Sequence, residues 1–167
     1  MTVALAFALG CNPSQDAAPS RTSPEAVRAL IEAEIALGVR ATWEQDIDAF
    51  MDGVPLDYRI QDESGEVITR EQLRANTLRN WAVIPRTLDL TIVVDSLELT
   101  GDSVAIVWSS QRWERLMGRP DRPGEDTVLT TQKHRETWRL TNGRWLNYVI
   151  EELGGEIFVN GKPYRPV

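Results

Sequence analysis

Two side chains that can move a proton, His134 and Glu136, lie two positions apart in a stretch of alternating polar and apolar residues. The dipeptide Asn142-Gly143 follows and is the strongest hairpin signal in the chain. Because alternate residues of a strand point to one face of the sheet, His134 and Glu136 are predicted to share a face. A carboxylate or an imidazole in that setting could act as a general base.

The hairpin also predicts which residues lie opposite these two. With Asn142-Gly143 as a two-residue turn, the expected cross-strand pairs are Leu140 with Trp145, Trp138 with Asn147, Glu136 with Val149 and His134 with Glu151. The shared face is apolar beside the turn and becomes polar toward His134. An apolar cleft with a few convergent polar groups is typical of a small-molecule site, and burial there would raise the pKa of a carboxyl group.

The same residues also fit a purely structural role. His134 opposite Glu151 would then be an ordinary cross-strand charge pair, and Glu136 could pair with a nearby arginine. Large aromatic side chains more often fill a core than line a pocket, which applies to most of the six tryptophans. Both interpretations stay open at the level of sequence.

The composition excludes several kinds of function. The 167 residues carry 18 Lys and Arg against 25 Asp and Glu, a net charge of −7, so nucleic acid is not an expected partner. A single Cys and a single His exclude an internal disulfide and a Cys/His zinc site. The chain has no phosphate-binding glycine motif and no nucleophile elbow. We therefore expect no metal and no cofactor.

The N-terminal segment has the character of an export signal. Residues 3–9 are apolar, and the following Gly10-Cys11 completes a stretch, 8–11, that resembles a bacterial lipobox. The resemblance implies a leader over 1–11, lipidation of Cys11, and an extracytoplasmic protein that contacts the membrane only through its N-terminus. Residues 12–23 are rich in Pro, Ser and Ala, as expected of a flexible linker. The alternative is an apolar tail with an inert thiol.

The rest of the chain, 24–167, is predicted to fold as one domain with helices first and strands afterwards. Ser23 before Pro24 is typical of a helix start, and apolar residues then recur every four positions for about 20 residues. A short helix is expected at 46–51, and Thr69 with Gln72 forms the capping box of another helix. The period then changes to two, which predicts strands over 87–99, from 104 toward 117, over 127–141 and over 144–151, with the last strand ending before Gly154-Gly155. This order indicates an α+β fold.

Three stretches resemble the SnoaL-like branch of the nuclear transport factor 2-like, or ketosteroid-isomerase-like, superfamily. They are 43–51, 57–73, and the C-terminal set comprising 135–138, Asn142-Gly143-Arg144-Trp145, 151–153 and 160–163. The resemblance implies a cone-shaped, curved mixed sheet wrapped by N-terminal helices, with a pocket at its open end. Many members are homodimers. The isomerases of the superfamily use a pocket Asp as base, with a Tyr and a protonated Asp as oxyanion donors; Tyr58 lies near a position that matches the Tyr.

Two hypotheses about function follow. In the first, the domain binds a small apolar or amphipathic molecule without catalysis, in a pocket formed by Tyr58, Trp108, His134, Glu136, Trp138 and Asn147. In the second, the domain is an isomerase, cyclase or lyase. Glu136 or His134 would then move a proton, and Tyr58 or Asn147 would stabilise the developing charge. The enzyme hypothesis requires these polar groups to converge on one point of the pocket.

Overall fold

The computed structural model describes residues 23–119 and 123–164. The predicted leader, most of the predicted linker and Cys11 lie outside the described residues. Three helices are present in the described part: α1 (Pro24–Glu44), α2 (Ile47–Asp52) and α3 (Arg70–Trp81). Of these helices, none combines the length and the apolarity that crossing a bilayer requires.

Each helix begins where its capping residues predict. The Ser23 side chain accepts a hydrogen bond from the backbone N–H of Ala26 at 3.2 Å, and Pro24 occupies the first position of α1. The Asp46 carboxylate caps α2 in the same way. Thr69 and Gln72 form the predicted reciprocal capping box at the start of α3. These local signals fix where the helices enter the fold.

A single mixed sheet forms the rest of the described chain. Its strands are β1 (Arg59–Gln61), β2 (Val67–Thr69), β3 (Arg86–Thr100), β4 (Val104–Gly118), β5 (Glu125–Thr141), β6 (Arg144–Val159) and β7 (Lys162–Pro163). The spatial order is β2-β1-β6-β5-β4-β3, with β7 paired to β6. Among the strand pairs of the described residues, β1–β6 alone is parallel. The expected α+β fold, a curved mixed sheet with N-terminal helices against it, is confirmed.

The core lies between α1 and the face of the sheet that the helices cover, called the concave face from here on. Val27 and Ile31 of α1 are almost fully buried, as the four-residue periodicity requires. They belong to one apolar cluster with the sheet residues Val94, Ala105, Val107, Trp138 and Trp145. Both hairpin tryptophans therefore point toward the helices, and their burial closes one end of the concave face.

The hairpin register agrees with the prediction only next to the turn. Trp145 pairs with Leu140 and Asn147 with Trp138, as expected, but the ladder then shifts by one residue. Glu136 lies opposite Ile150 and His134 opposite Glu152, so the predicted partners Val149 and Glu151 are wrong. The reason is a β-bulge at Thr137/Trp138, which the sequence pattern did not reveal. A shift of one residue moves each following side chain of β6 to the other face.

The predicted break at Gly154-Gly155 is also wrong, because β6 continues through both glycines to Val159. Gly154 has φ +134°, a backbone conformation that other residues rarely adopt, and it lies at the second irregularity of the β5–β6 ladder. A Cβ atom at Gly155 would clash with the carbonyl oxygen of Thr131. The glycines therefore allow a long strand to bend.

Candidate functional site

A cavity of about 750 Å³ lies between the helices and the concave face. Its apolar wall includes side chains from each described helix and from β3, among them Ile35, Val39, Phe50, Leu73, Trp81, Leu90 and Ile92. Its polar side chains come both from the helices and from β4, β5 and β6. The volume is in the range of sites that hold drug-sized ligands.

Glu136 is the centre of the polar part and is only 4 % exposed. Its Oε2 atom accepts hydrogen bonds from Nε1 of Trp138 at 2.6 Å and from Nδ2 of Asn147 at 2.8 Å. The hydroxyl of Ser109 on β4 donates to its Oε1 atom at 2.5 Å. One carboxyl group thus connects three adjacent strands through side-chain hydrogen bonds.

These partners determine which oxygen of Glu136 can carry a proton. An indole N–H and an amide NH₂ only donate, so Oε2 has to remain an acceptor. The Ser109 hydroxyl can reverse and accept instead, which leaves Oε1 as the protonation site. Burial raises the pKa of Glu136, and the hydrogen bonds from Ser109 and Trp138 lower it by less. Glu136 can therefore hold or release a proton at Oε1 without losing a hydrogen bond.

His134 lies beside this oxygen. It is 7 % exposed, and its Nδ1 atom is 4.0 Å from Oε1 of Glu136. Burial lowers the pKa of the imidazole, which keeps it neutral under conditions where it can accept a proton. The distance is longer than a hydrogen bond, so a direct transfer between the two groups requires a small movement or a bridging water.

Tyr58 and Glu152 complete the polar set. Tyr58, immediately before β1, is buried in the cavity wall, and burial first and then the charges of Glu136 and Glu152 raise the pKa of its hydroxyl. This hydroxyl therefore stays protonated and can donate. Burial also raises the pKa of Glu152, as do the nearby Asp62 and Glu63, while a hydrogen bond from Gln132 at 3.2 Å opposes the shift.

The structure brings most of the predicted pocket residues together. Tyr58, His134, Glu136, Trp138 and Asn147 all line this one cavity. Trp108 does not, because its neighbours Val107 and Ser109 are the residues of β4 that face the helices. The expected place of Trp108 is thus corrected: its side chain lies on the opposite, convex face, and Trp113 of the same strand lines the cavity.

The sequence analysis missed several residues of the cavity, among them Gln111, Trp113, Gln132 and Glu152. It also missed Ser109, which donates to Glu136 without lining the cavity. A signal for Ser109 was available, since it continues the alternation of a strand predicted to be central. Glu152 could not be found, because its direction depends on the bulge. Within the described ranges, no group of three or more His, Cys, Asp or Glu residues is arranged to hold a metal ion.

A scan against protein-family models gave no match, and a search of the curated proteins gave none either. Solved structures, in contrast, are similar over most of the chain. A candidate scytalone dehydratase from Novosphingobium aromaticivorans has a TM-score of 0.70 at 11 % identity, covering 84 % of this chain and 89 % of that one.

Two further solved structures are also similar to this chain. A ketosteroid isomerase-like protein from Erwinia carotovora atroseptica has a TM-score of 0.55 at 15 % identity, covering 75 % of this chain and 95 % of that one. A nuclear transport factor 2-like protein of unknown function from Shewanella oneidensis has a TM-score of 0.53 at 14 % identity, covering 75 % and 98 %. At these identities the likeness concerns the fold. The chain therefore has the nuclear transport factor 2-like fold, in which a curved sheet and its covering helices enclose a cavity.

Proposed function

We propose that the domain binds a small apolar or amphipathic molecule in the cavity between the helices and the concave face. The observation that carries this proposal is the cavity itself, which combines an apolar wall with one cluster of buried polar groups around Glu136. If this region served only as part of the hydrophobic core, side chains would fill it and leave no cavity. The similar solved structures support the proposal, since two of them bear the names of enzymes that act on small molecules.

The test is to identify what the cavity holds. The full chain, purified from its native cells, is examined by native mass spectrometry for a bound small molecule, which we expect to find at one per chain. In Ile150→Trp, a larger side chain enters the cavity and should displace the molecule. Val149→Trp adds the same ring to a position that does not line the cavity and is the matched control. Retention of the molecule by Ile150→Trp would contradict the proposal.

A second candidate function is proton transfer, as in an isomerase, cyclase or lyase. One specific observation favours it: Oε1 of Glu136 and Nδ1 of His134 are 4.0 Å apart in the cavity, and burial moves their pKa values toward each other. Glu136 or His134 would remove a proton from the substrate, and the Tyr58 hydroxyl or the Asn147 amide would stabilise the negative charge that develops. In a lyase, the same proton would leave with the departing hydroxyl as water.

Deuterium exchange tests this candidate without knowledge of the substrate. A panel of cyclic ketones and β-hydroxy ketones is incubated in D₂O, and loss of the α-proton signal is followed by NMR. The wild-type chain should exchange at least one of them, and Glu136→Gln should reduce the rate by about a hundredfold or more. Glu151→Gln, at a position that does not line the cavity, should exchange as the wild type does. Equal rates in the wild type and Glu136→Gln would exclude Glu136 as the base.

We further propose that the domain is extracytoplasmic and is attached to a membrane by lipidation of Cys11. The support is the apolar segment 3–9 followed by Gly10-Cys11 and a Pro/Ser/Ala-rich linker. The mature chain should carry a mass increase on Cys11 and partition into the membrane fraction. Cys11→Ser should lose both properties, and an unchanged mass and distribution in that variant would refute lipidation.

Homodimer formation is proposed from the resemblance alone. Light scattering on the purified domain should give twice the chain mass. A monomer at micromolar concentrations would contradict this proposal and would leave the cavity proposal unaffected.

A further inference from the structure

We propose that the ligand carries a basic nitrogen at the polar end of an apolar body and that this nitrogen binds as a cation near Glu136 and Glu152. This inference rests on the ligand-binding function proposed above and adds the chemical class of the ligand. It follows from the distribution of charge around the cavity and from the arrangement of donors and aromatic rings at its polar end.

The lining of the cavity is strongly acidic. It includes six carboxylates and two guanidinium groups: Glu34, Glu44, Asp46, Asp52, Glu136 and Glu152 against Arg40 and Arg144. Such an excess of one sign in a cleft with low-dielectric walls concentrates a negative potential inside it. A cation is attracted into this cavity, and a carboxylate or phosphate is repelled.

Neither arginine neutralises the polar end. Arg144 donates to both carboxylate oxygens of Glu34, at 3.0 and 2.8 Å, and to Asp52 at 2.8 Å, so its charge is already matched. Arg40 is solvent-exposed on α1 and has no ion pair among the described residues. His134 is the nearest basic group to Glu136, and burial favours its neutral form. Among the residues that the structure describes, the polar end thus has acceptors for a cation and no resident cation.

The hydrogen-bond donors around Glu136 favour its ionised form, but no opposite charge among the described residues compensates the ionised carboxylate. Three donors point to its two oxygens, which favours the carboxylate, while burial opposes it. A buried carboxylate without an opposite charge is costly, and the cost is removed by a bound proton or by a bound cation. A ligand ammonium supplies that cation, and Glu152, which projects into the same cavity from β6, provides a second negative charge.

Aromatic rings at the same end fit a cation as well. Tyr58 and Trp138 line the cavity together with Glu136. The face of an aromatic ring attracts an ammonium group, and this attraction is larger in a site that excludes water. The apolar body of the ligand would then lie against the aliphatic side chains of α1 and β3. The occupant that this arrangement fits is an amphipathic amine.

Three probes share the pyrene ring and differ in the charge of the substituent: 1-pyrenemethylamine, 1-pyrenemethanol and 1-pyrenecarboxylate. A difference in their affinities therefore reports the effect of ligand charge. Binding of each to the purified chain is followed at neutral pH by pyrene fluorescence polarisation. We expect the amine to bind about tenfold more tightly than the alcohol, and the carboxylate to bind most weakly. Glu152→Gln should reduce the preference for the amine over the alcohol severalfold.

Glu151→Gln is the matched control. Glu151 is the neighbour of Glu152 in the chain, it forms an ion pair with Arg135 at 2.8 Å, and it does not line the cavity. Removing this charge should leave all three affinities as in the wild type, whereas an equal effect of both variants would overturn the inference. If the carboxylate or the alcohol binds as tightly as the amine, the inference is wrong and ligand binding stands. If none of the three probes binds, the inference is wrong, and the ligand-binding proposal is decided separately by mass spectrometry of the bound molecule and the Ile150→Trp variant.

Discussion

The Oε1 atom of Glu136 and the Nδ1 atom of His134 lie 4.0 Å apart on adjacent concave positions of β5, and both side chains are buried. Burial acts on them in opposite directions, because it disfavours the charged form of each group. The pKa of Glu136 is raised, and that of His134 is lowered. The pair is therefore most stable when both groups are neutral, and its protonation is linked to folding.

The pH dependence of stability follows from these two directions. The folded chain binds the Glu136 proton more tightly than the unfolded chain, so the free energy of unfolding should fall as pH rises from near 4.5 through the raised pKa. The folded chain binds the His134 proton less tightly, so stability should also be lost as pH falls from 6.5 through the lowered pKa. Urea unfolding between pH 4 and 9 measures both effects.

Two variants separate the contributions. Gln at position 136 imitates the protonated carboxyl, because its NH₂ can donate to Ser109 while its oxygen accepts from Trp138 and Asn147. Glu136→Gln should therefore remove the decline at higher pH, and His134→Gln should remove the loss below pH 6.5. An unchanged pH profile in Glu136→Gln would show that this carboxyl group does not carry the dependence.

Ser109 should control the protonation of Glu136. Its hydroxyl bond lowers the pKa of the carboxyl group, so Ser109→Ala should raise that pKa further. The indole N–H of Trp138, which donates to Oε2, is a reporter whose ¹H and ¹⁵N shifts follow the titration in an NMR experiment. Ser110→Ala is the control. It removes an exposed hydrogen bond to Asp95 and should leave the pKa of Glu136 unchanged. If Ser109→Ala lowered the titration midpoint of Glu136, the proposed effect of the Ser109 hydrogen bond on this pKa would be wrong.

Two glycines should respond to alanine in opposite ways. A Cβ atom at Gly38 in the middle of α1 meets nothing within 4 Å, so Gly38→Ala should stabilise the domain by about 0.5–1 kcal/mol. Gly143 in the hairpin turn has φ +82°, so Gly143→Ala should destabilise it by about 1 kcal/mol or more. Urea unfolding of both variants checks the signs. A loss of stability in Gly38→Ala would contradict the open space beside this residue.

The ion pairs of Arg144 should make a small, salt-dependent contribution. This side chain connects β6 to Glu34 of α1 and to Asp52 of α2, and 40 % of it is exposed. Solvent screening limits such a network, so Arg144→Gln should cost about 1 kcal/mol at low salt and less at high salt. Arg74→Gln, which removes a 3.8 Å contact with the exposed Asp48, should cost less. Thermal unfolding at two ionic strengths would test both values, and equal losses would contradict the ranking.

The sequence alone determined those features that depend on local chemistry. The caps at Ser23 and Thr69, the Asn142-Gly143 turn and the alternation that makes His134, Glu136 and Trp138 share a face are all recognisable there, since each involves only a few neighbouring residues. The α+β fold follows from the order of the elements along the chain, with helices first and strands afterwards.

Tertiary structure decided the rest. The bulge at Thr137/Trp138 turned Glu152 and Ile150 into the cavity and Val149 out of it, and the pleat of β4 placed Trp113 there in preference to Trp108. A β-bulge is stabilised by the curvature of the whole sheet and by the helices packed on it, which no short segment encodes. The charge balance of the cavity was undetermined for the same reason, because it depends on side chains that are distant in sequence and meet only when the sheet closes around them.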